Sequence, residues 1–250
     1  MILRTENLVK SFDGIKAVDN FTMDVEEGVI AGLIGPNGAG KTTLFNLVTG
    51  FMNPDSGRIT FDGEEITEDP MHDIVKHGIV RTFQVMRPLP RMTVLENLML
   101  AEPEQTGERL HNPFIRPDDV EEEESEIKDQ ALEILDLFGL REKKDDYAGG
   151  LSGGQRRLLE LARSLMTSPK MLLLDEPTGG VNPSLISEIL DHLKYLNDQG
   201  LTILMIEHNI QTIMDLSDVV YVMTNGRKIA QGPPGDIQEN EEVIDAYLGG

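Results

Sequence analysis

The 250 residues contain no cysteine, which excludes disulfides, cysteine-held iron–sulfur clusters and cysteine zinc sites. Basic residues are scarce: 22 Lys and Arg stand against 44 Asp and Glu, a formal net charge of −22. Nucleic-acid backbones are bound by clustered lysine and arginine, so no nucleic-acid partner is expected, and an anionic lipid surface is disfavoured for the same reason. No apolar run approaches the roughly 18 to 20 residues that span a bilayer, and no signal-type stretch follows Met1. The expectation is a soluble, cytosolic protein that reaches a membrane only through protein partners. No internal repeat is present. The 39% hydrophobic content is enough for a chain of this length to bury about three-quarters of its unfolded surface without covalent staples.

Two glycine-rich segments stand out against this background. Gly35-Pro36-Asn37-Gly38-Ala39-Gly40-Lys41-Thr42-Thr43 fits the phosphate loop, whose backbone N–H groups wrap nucleotide phosphates while the lysine supplies a point charge and the hydroxyl reaches Mg²⁺. The apolar run Val29–Ile34 before it reads as a buried strand, and Leu44–Val48 after it as a helix, which is the order such a loop requires. The helix N-terminus then adds unpaired donors and a positive dipole end. Leu151-Ser152-Gly153-Gly154-Gln155 opens a second apolar helical face, with Ser152 at the N-cap position and glycines that leave helix N–H groups uncovered. The first loop already holds the chain's own phosphates. A second anion cradle therefore makes chemical sense if it closes over the nucleotide of a neighbouring molecule; by itself it is an ordinary helix cap.

Met171-Leu172-Leu173-Leu174 is an apolar strand that ends in Asp175-Glu176, and strand ends in parallel sheets are where ligands bind. In phosphate-loop enzymes the first such acid holds Mg²⁺, usually through water, and the second can orient and deprotonate the attacking water. Residues 1–85 and 168–232 alternate short apolar runs with helical segments, the stretch between is mostly helical, and 233–250 ends in a short acidic helix. Phe21, Met23 and Val25 alternate with polar residues as an antiparallel strand does, and Asn225-Gly226 reads as a hairpin turn. Asp118–Glu126 is the densest acidic run and reads as a solvated helix face.

With these residues in place the chain resembles the ATP-binding cassette ATPases over essentially its whole length. Phe12 matches the aromatic that stacks on adenine, residues 35–43 the phosphate loop, Gln84 the glutamine loop, and 151–155 the family signature, with Asp175, Glu176 and His208 following in order. The resemblance implies one α/β domain over 1–250. It comprises a P-loop NTPase core with an antiparallel β portion (1–85 and 168–232), an inserted helical subdomain (about 86–167) and a C-terminal helix within 233–250.

It also implies ATP and Mg²⁺ as cofactors, and hydrolysis by a head-to-tail pair with a second subunit, the same chain or a related one. Lys41 and the loop amides hold the β- and γ-phosphates, Thr42 and Gln84 ligate Mg²⁺, and Asp175 holds it through water. Glu176 is the base and His208 contacts the γ-phosphate, while Ser152 and Gly154 donate from the opposing subunit. Asn182 stands where many cassettes place aspartate. That form, with Arg81-Thr82-Phe83-Gln84, Met92–Asn97 and the ending Ala246-Tyr247-Leu248-Gly249, is similar to the branched-chain amino-acid uptake ATPases. Those work beneath transmembrane permease subunits, on the inner face of the membrane, and receive cargo indirectly from an extracytoplasmic binding protein. Met86 and Leu89 are then the expected permease contacts. The other functions compatible with a cassette are a soluble non-transport ATPase and an export ATPase for lipid-linked molecules.

Overall fold

The computed structural model describes residues 1–82, 88–103, 105 and 117–248. The chain divides into two compact units, Met1–Phe83 with Lys170–Gly180 and Leu193–Gly250, and Gln84–Pro169 with Val181–His192.

In the first unit β1 (Leu3–Phe12), β2 (Ile15–Val25), β4 (Ser56–Phe61) and β5 (Glu64–Glu65) form an antiparallel sheet in the order β2-β1-β4-β5. The second sheet runs β10-β9-β3-β8-β7-β6, built from β3 (Ile30–Ile34), β6 (Ile79–Thr82), β7 (Met171–Asp175), β8 (Thr202–Ile206), β9 (Val219–Thr224) and β10 (Arg227–Gly232). Its strands are parallel except for the β9–β10 hairpin. That hairpin turns at Asn225 and Gly226, both with positive φ (48° and 81°), as the sequence predicts for a type I′ turn. The same turn occurs unannounced at Asp13-Gly14 between β1 and β2 and at Asp62-Gly63 between β4 and β5.

One core joins the sheets. Leu3, Leu8, Phe21 and Met23 from the antiparallel sheet cluster with Ala31, Leu33, Leu173 and Leu204 from the parallel one, and with Leu44, Phe45, Leu47 and Val48 of α1 (Lys41–Val48). The intervening residues of β3 and β7, Ile34, Leu172 and Leu174, are buried too, on the other face. A parallel sheet covered on both faces explains why these strands read as continuous apolar runs. On that far face α7 (Ile210–Leu216) approaches so closely that a Cβ on Gly32 would sit 2.5 Å from Ile213 Cγ2. The remaining helices of this unit are α2 (Met71–His77), α8 (Pro234–Gln238) and α9 (Glu241–Leu248).

The second unit is helical, with α3 (Val94–Met99), α4 (Pro117–Leu137) and α5 (Gly153–Leu165). It also takes the first half of α6 (Pro183–Asp198), which the sequence had assigned wholly to the core. The physical reason is side-chain contact: His192 lies 4.7 Å from the Phe138 ring, and Leu185 fills the space beside Gly154. Among the described residues no helix is long and apolar enough to cross a membrane.

Candidate functional site

β3 lies between β8 and β9, so the loop that leaves it opens at the carboxyl edge of the sheet, beside the exits of β7 and β8. Open parallel sheets bind ligands at this edge. The loop's shape is imposed by its neighbours. A Cβ on Gly35 would meet the Met223 carbonyl oxygen at 2.0 Å, and one on Gly40 (φ 105°) the Ala17 carbonyl oxygen at 2.1 Å. The β9–β10 turn ties the loop from behind: Gly226 N–H donates to Ala39 O, and Asp19 N–H to Gly226 O, each at 2.9 Å. Gly38, with φ 79°, faces open space.

That open side is a depression of about 330 Å³ lined by Ala17, residues 37–43, Glu176, Ile206 and His208. Lys41 is buried within it, its Nζ donating to Gly35 O at 2.6 Å and Pro36 O at 3.1 Å. Burial lowers its pKa, against the opposing pull of Glu176 and Asp175. The lysine charge is therefore parked on two loop carbonyls, where an arriving phosphate offers a better acceptor.

The two acids differ. Asp175, at the end of β7, has a side chain only 10% exposed and is paired with Arg81 of β6 at 2.6 Å. Glu176 turns out of the strand with φ 54°, its N–H donating to Ile206 O, and its half-exposed carboxylate lies 2.7 Å from His208 Nε2. The sequence-predicted base and γ-phosphate contact thus stand side by side. Glu207, which sequence reasoning passed over, is buried directly beneath them. One of its oxygens accepts from Thr178 N–H and Oγ1–H, both at 2.7 Å, and the other from His208 N–H at 3.2 Å. This one carboxylate fastens the turn after Glu176 to the turn carrying His208.

A second unforeseen contact comes from the C-terminus. The Tyr247 phenol on α9 lies beside the Gly35 backbone, and burial pushes its pKa up to about 12. Phe12 is 45% exposed at the tip of the β1–β2 hairpin, with the Lys10 ammonium 6.0 Å from its ring centroid. Gln84 and Met86 lie outside the described residues.

In the second unit Ser152 caps α5: Gln155 N–H donates to its Oγ at 3.2 Å, while Ser152 N–H donates to Gln155 Oε1 at 3.1 Å. The Oγ uses a lone pair in this cap, so its own O–H remains a donor. Gly153 has open space where a Cβ would stand. Backbone bonds tie the run before the signature to the 89–97 segment, Ala148 N–H to Met92 O and Val94 N–H to Asp146 O, both at 2.9 Å. Asn97, fully buried, accepts from Leu89 N–H through Oδ1 and donates back to Leu89 O. Thr93 and Glu96 close a capping box on α3. Asn182 caps α6, accepting Leu185 N–H at 2.9 Å, a task that needs its oxygen and no charge.

Among the described residues no three His, Asp or Glu side chains gather where they could hold a metal unaided. Mg²⁺ does not need such a cage, since it keeps waters and takes oxygens from phosphates beside one or two protein ligands. Thr42 in the depression, and Asp175 near enough to act on Lys41, are a donor set of that kind.

An ABC transporter family model matches residues 18–179, and a branched-chain amino acid ATP-binding cassette transporter model matches 227–250. The probable branched-chain amino acid transport ATP-binding protein LivG of Archaeoglobus fulgidus is 46% identical over 99% of this chain and 95% of its own length. The high-affinity protein LivG of Salmonella typhimurium is 40% identical over 99% of this chain and 98% of its own. Among solved structures, a nucleotide-free ATP-binding cassette from an ABC transporter superposes with a TM-score of 0.85 at 40% identity, covering 100% of this chain and 99% of that one. The ADP conformation of such a cassette gives 0.84 at 40% identity, with the same coverage.

Proposed function

We propose that this chain, which belongs to the ABC transporter family of ATPases, energises an importer of branched-chain amino acids or closely related small solutes. The reading rests on full-length similarity to relatives with that name, down to the C-terminal segment, together with a phosphate loop, Glu176 and His208 converging on one depression.

In this mechanism the triphosphate enters along Gly38, and Lys41 exchanges its loop carbonyls for phosphate oxygens. Thr42, Gln84 and Asp175 are the residues that would hold Mg²⁺, which would supply neutralisation of phosphate charge when bound. The Glu176 carboxylate orients the attacking water and takes its proton. His208 steadies that carboxylate and reaches the γ-phosphate, while Glu207 keeps both turns in register. Ser152 and Gly154 of a second subunit, the same chain or a relative, complete the site with the spare O–H and an uncovered helix N–H. The protein thereby acts chiefly by positioning and charge stabilisation, as phosphoryl transfer requires.

Such a subunit sits on the cytoplasmic face beneath transmembrane permeases, with a binding protein delivering cargo from outside. The Leu89 side chain, 42% exposed while its backbone is pinned by Asn97, is a suitable permease contact. The backbone bonds from 92–94 to 146–148 give docking a direct route to the signature. Proteoliposomes carrying this chain with its permeases and binding protein should take up leucine, isoleucine or valine only with ATP. Uptake of urea or short amides alone would reassign the cargo; ATP hydrolysis with no transport of any of these would overturn the importer reading.

A further inference from the structure

Arg81 stands on the edge strand β6, in register with Leu173 of the neighbouring β7. Its side chain is only 8% exposed, an unusual place for a guanidinium. One terminal nitrogen donates to Asp175 Oδ2 and the other to Asn46 Oδ1 of α1, both at 2.6 Å, while the guanidinium carbon lies 5.5 Å from the Phe45 ring centroid. The planar fork thus ties three elements together: the edge strand, the acid-bearing strand and the helix that begins at Lys41. A lysine has no second donor arm held at a fixed angle and could not span both acceptors in the same way.

We propose that Arg81 is the positioning residue of the metal side of the nucleotide site, orienting the Asp175 carboxylate and opposing the cation that the carboxylate serves. This rests on the reading of Asp175 as the Mg²⁺-holding acid. Two consequences follow from electrostatics. Before the metal arrives, the guanidinium gives a buried carboxylate the paired, hydrogen-bonded partner it needs. Once the metal is present, a fixed positive charge bonded to the same carboxylate repels it in a weakly screened interior. Arg81 therefore keeps the metal contribution to nucleotide affinity modest, as suits a site that must release ADP in every cycle.

The test is equilibrium binding of a fluorescent ATP analogue to the full chain, in Mg²⁺ and in EDTA, with the ratio of the two affinities as the readout. Arg81→Gln, whose amide NH₂ can still donate to Asp175 while the opposing charge is gone, should raise that ratio by about tenfold, whereas Arg81→Lys, which keeps the charge, should stay within about threefold of wild type. Asp175→Asn should lower the ratio below that of wild type. An unchanged ratio in Asp175→Asn refutes the metal role of Asp175 itself. If that variant behaves as expected but Arg81→Gln matches wild type or lowers the ratio, the inference about Arg81 is wrong while the assignment of Asp175 stands. If Arg81→Gln is too unstable to purify, Arg81→Gln/Asp175→Asn should recover soluble yield, because the buried charge that Arg81 pairs with is removed as well. A double variant no more soluble than Arg81→Gln overturns the pairing on which the proposal depends.

Discussion

Removing the Glu207 carboxylate tests whether the turn that follows Glu176 and the turn that carries His208 are fastened together. Glu207 is 5% exposed and Thr178 7%, so Glu207→Ala leaves the Thr178 N–H and hydroxyl without their acceptor in a buried setting. An unsatisfied buried donor costs about 1–3 kcal/mol; the hydroxyl can rotate toward another acceptor, so roughly one full penalty belongs to the amide. The lost methylenes and the void add about 1–2 kcal/mol, giving a total near 3 kcal/mol. For a chain of this size that corresponds to about 6–12 °C in melting temperature. Glu207→Gln keeps one acceptor oxygen for Thr178 but turns an NH₂ toward the His208 amide, so it should lose about 1 kcal/mol and about 2–4 °C. Both variants should retain nucleotide affinity, because the hydrogen bonds of Glu207 run to Thr178 and His208, yet lose most of kcat, because the turns of Glu176 and His208 drift apart. Calorimetry and steady-state ATP turnover measure the two effects. An alanine variant that melts within 2 °C of wild type, or one that turns over ATP normally once folded, would refute the fastening argument.

The remaining expectations concern the site and the fold. Glu176→Gln should still bind ATP but lose most hydrolysis and accumulate as an ATP-bound dimer on size exclusion; near-normal turnover would remove Glu176 as the base. Lys41→Ala and Ser152→Arg should each be inactive, while their mixture regains partial activity through one rebuilt composite site; a dead mixture of exchanging subunits of this chain would show that a single copy does not supply both halves. Tyr221, fully buried and donating its hydroxyl to Asp24 O, has its pKa raised by burial from 10.0 to about 12. The neutral phenol is favoured in the fold, so its contribution is intact below pH 10 and lost as pH climbs toward 12; at about 1.4 kcal/mol per unit this amounts to roughly 1 kcal/mol by pH 11. Tyr221→Phe should therefore show a flatter alkaline limb in denaturant titrations at pH 9 and 11, and an equally steep one would show that the phenol does not titrate in this range.

The residues proposed to meet phosphate were legible because their chemistry constrains neighbours in sequence. A loop that must present consecutive amides needs glycines at fixed spacing, and β3, β7 and β8 declared themselves because a doubly covered strand has no polar face. The Asn225-Gly226 turn was legible for a similar local reason, and Asp13-Gly14 and Asp62-Gly63 carried the same signal unread. The division of α6 was not legible, since its apolar periodicity is the same whichever unit covers it.

The supporting contacts were hidden for a deeper reason. Arg81 and Asp175 are 94 positions apart, and Thr178 and Glu207 are 29 apart, so each pair meets only because β7 lies between β6 and β8. Tyr247 reaches Gly35 from the far end of the chain. A lone arginine, glutamate or tyrosine carries no spacing rule, and at the sequence level each is as well explained by an exposed strand end or helix face. In Met92–Asn97 the two kinds of information coincide: the segment that marked the resemblance contains the Thr93–Glu96 capping box and the buried Asn97 that pins Leu89. What looked like a family label is thus local structural chemistry, readable as a cap from Thr93 and Glu96. The role of Asn97 becomes visible only when the backbone it grips has been folded back beside it.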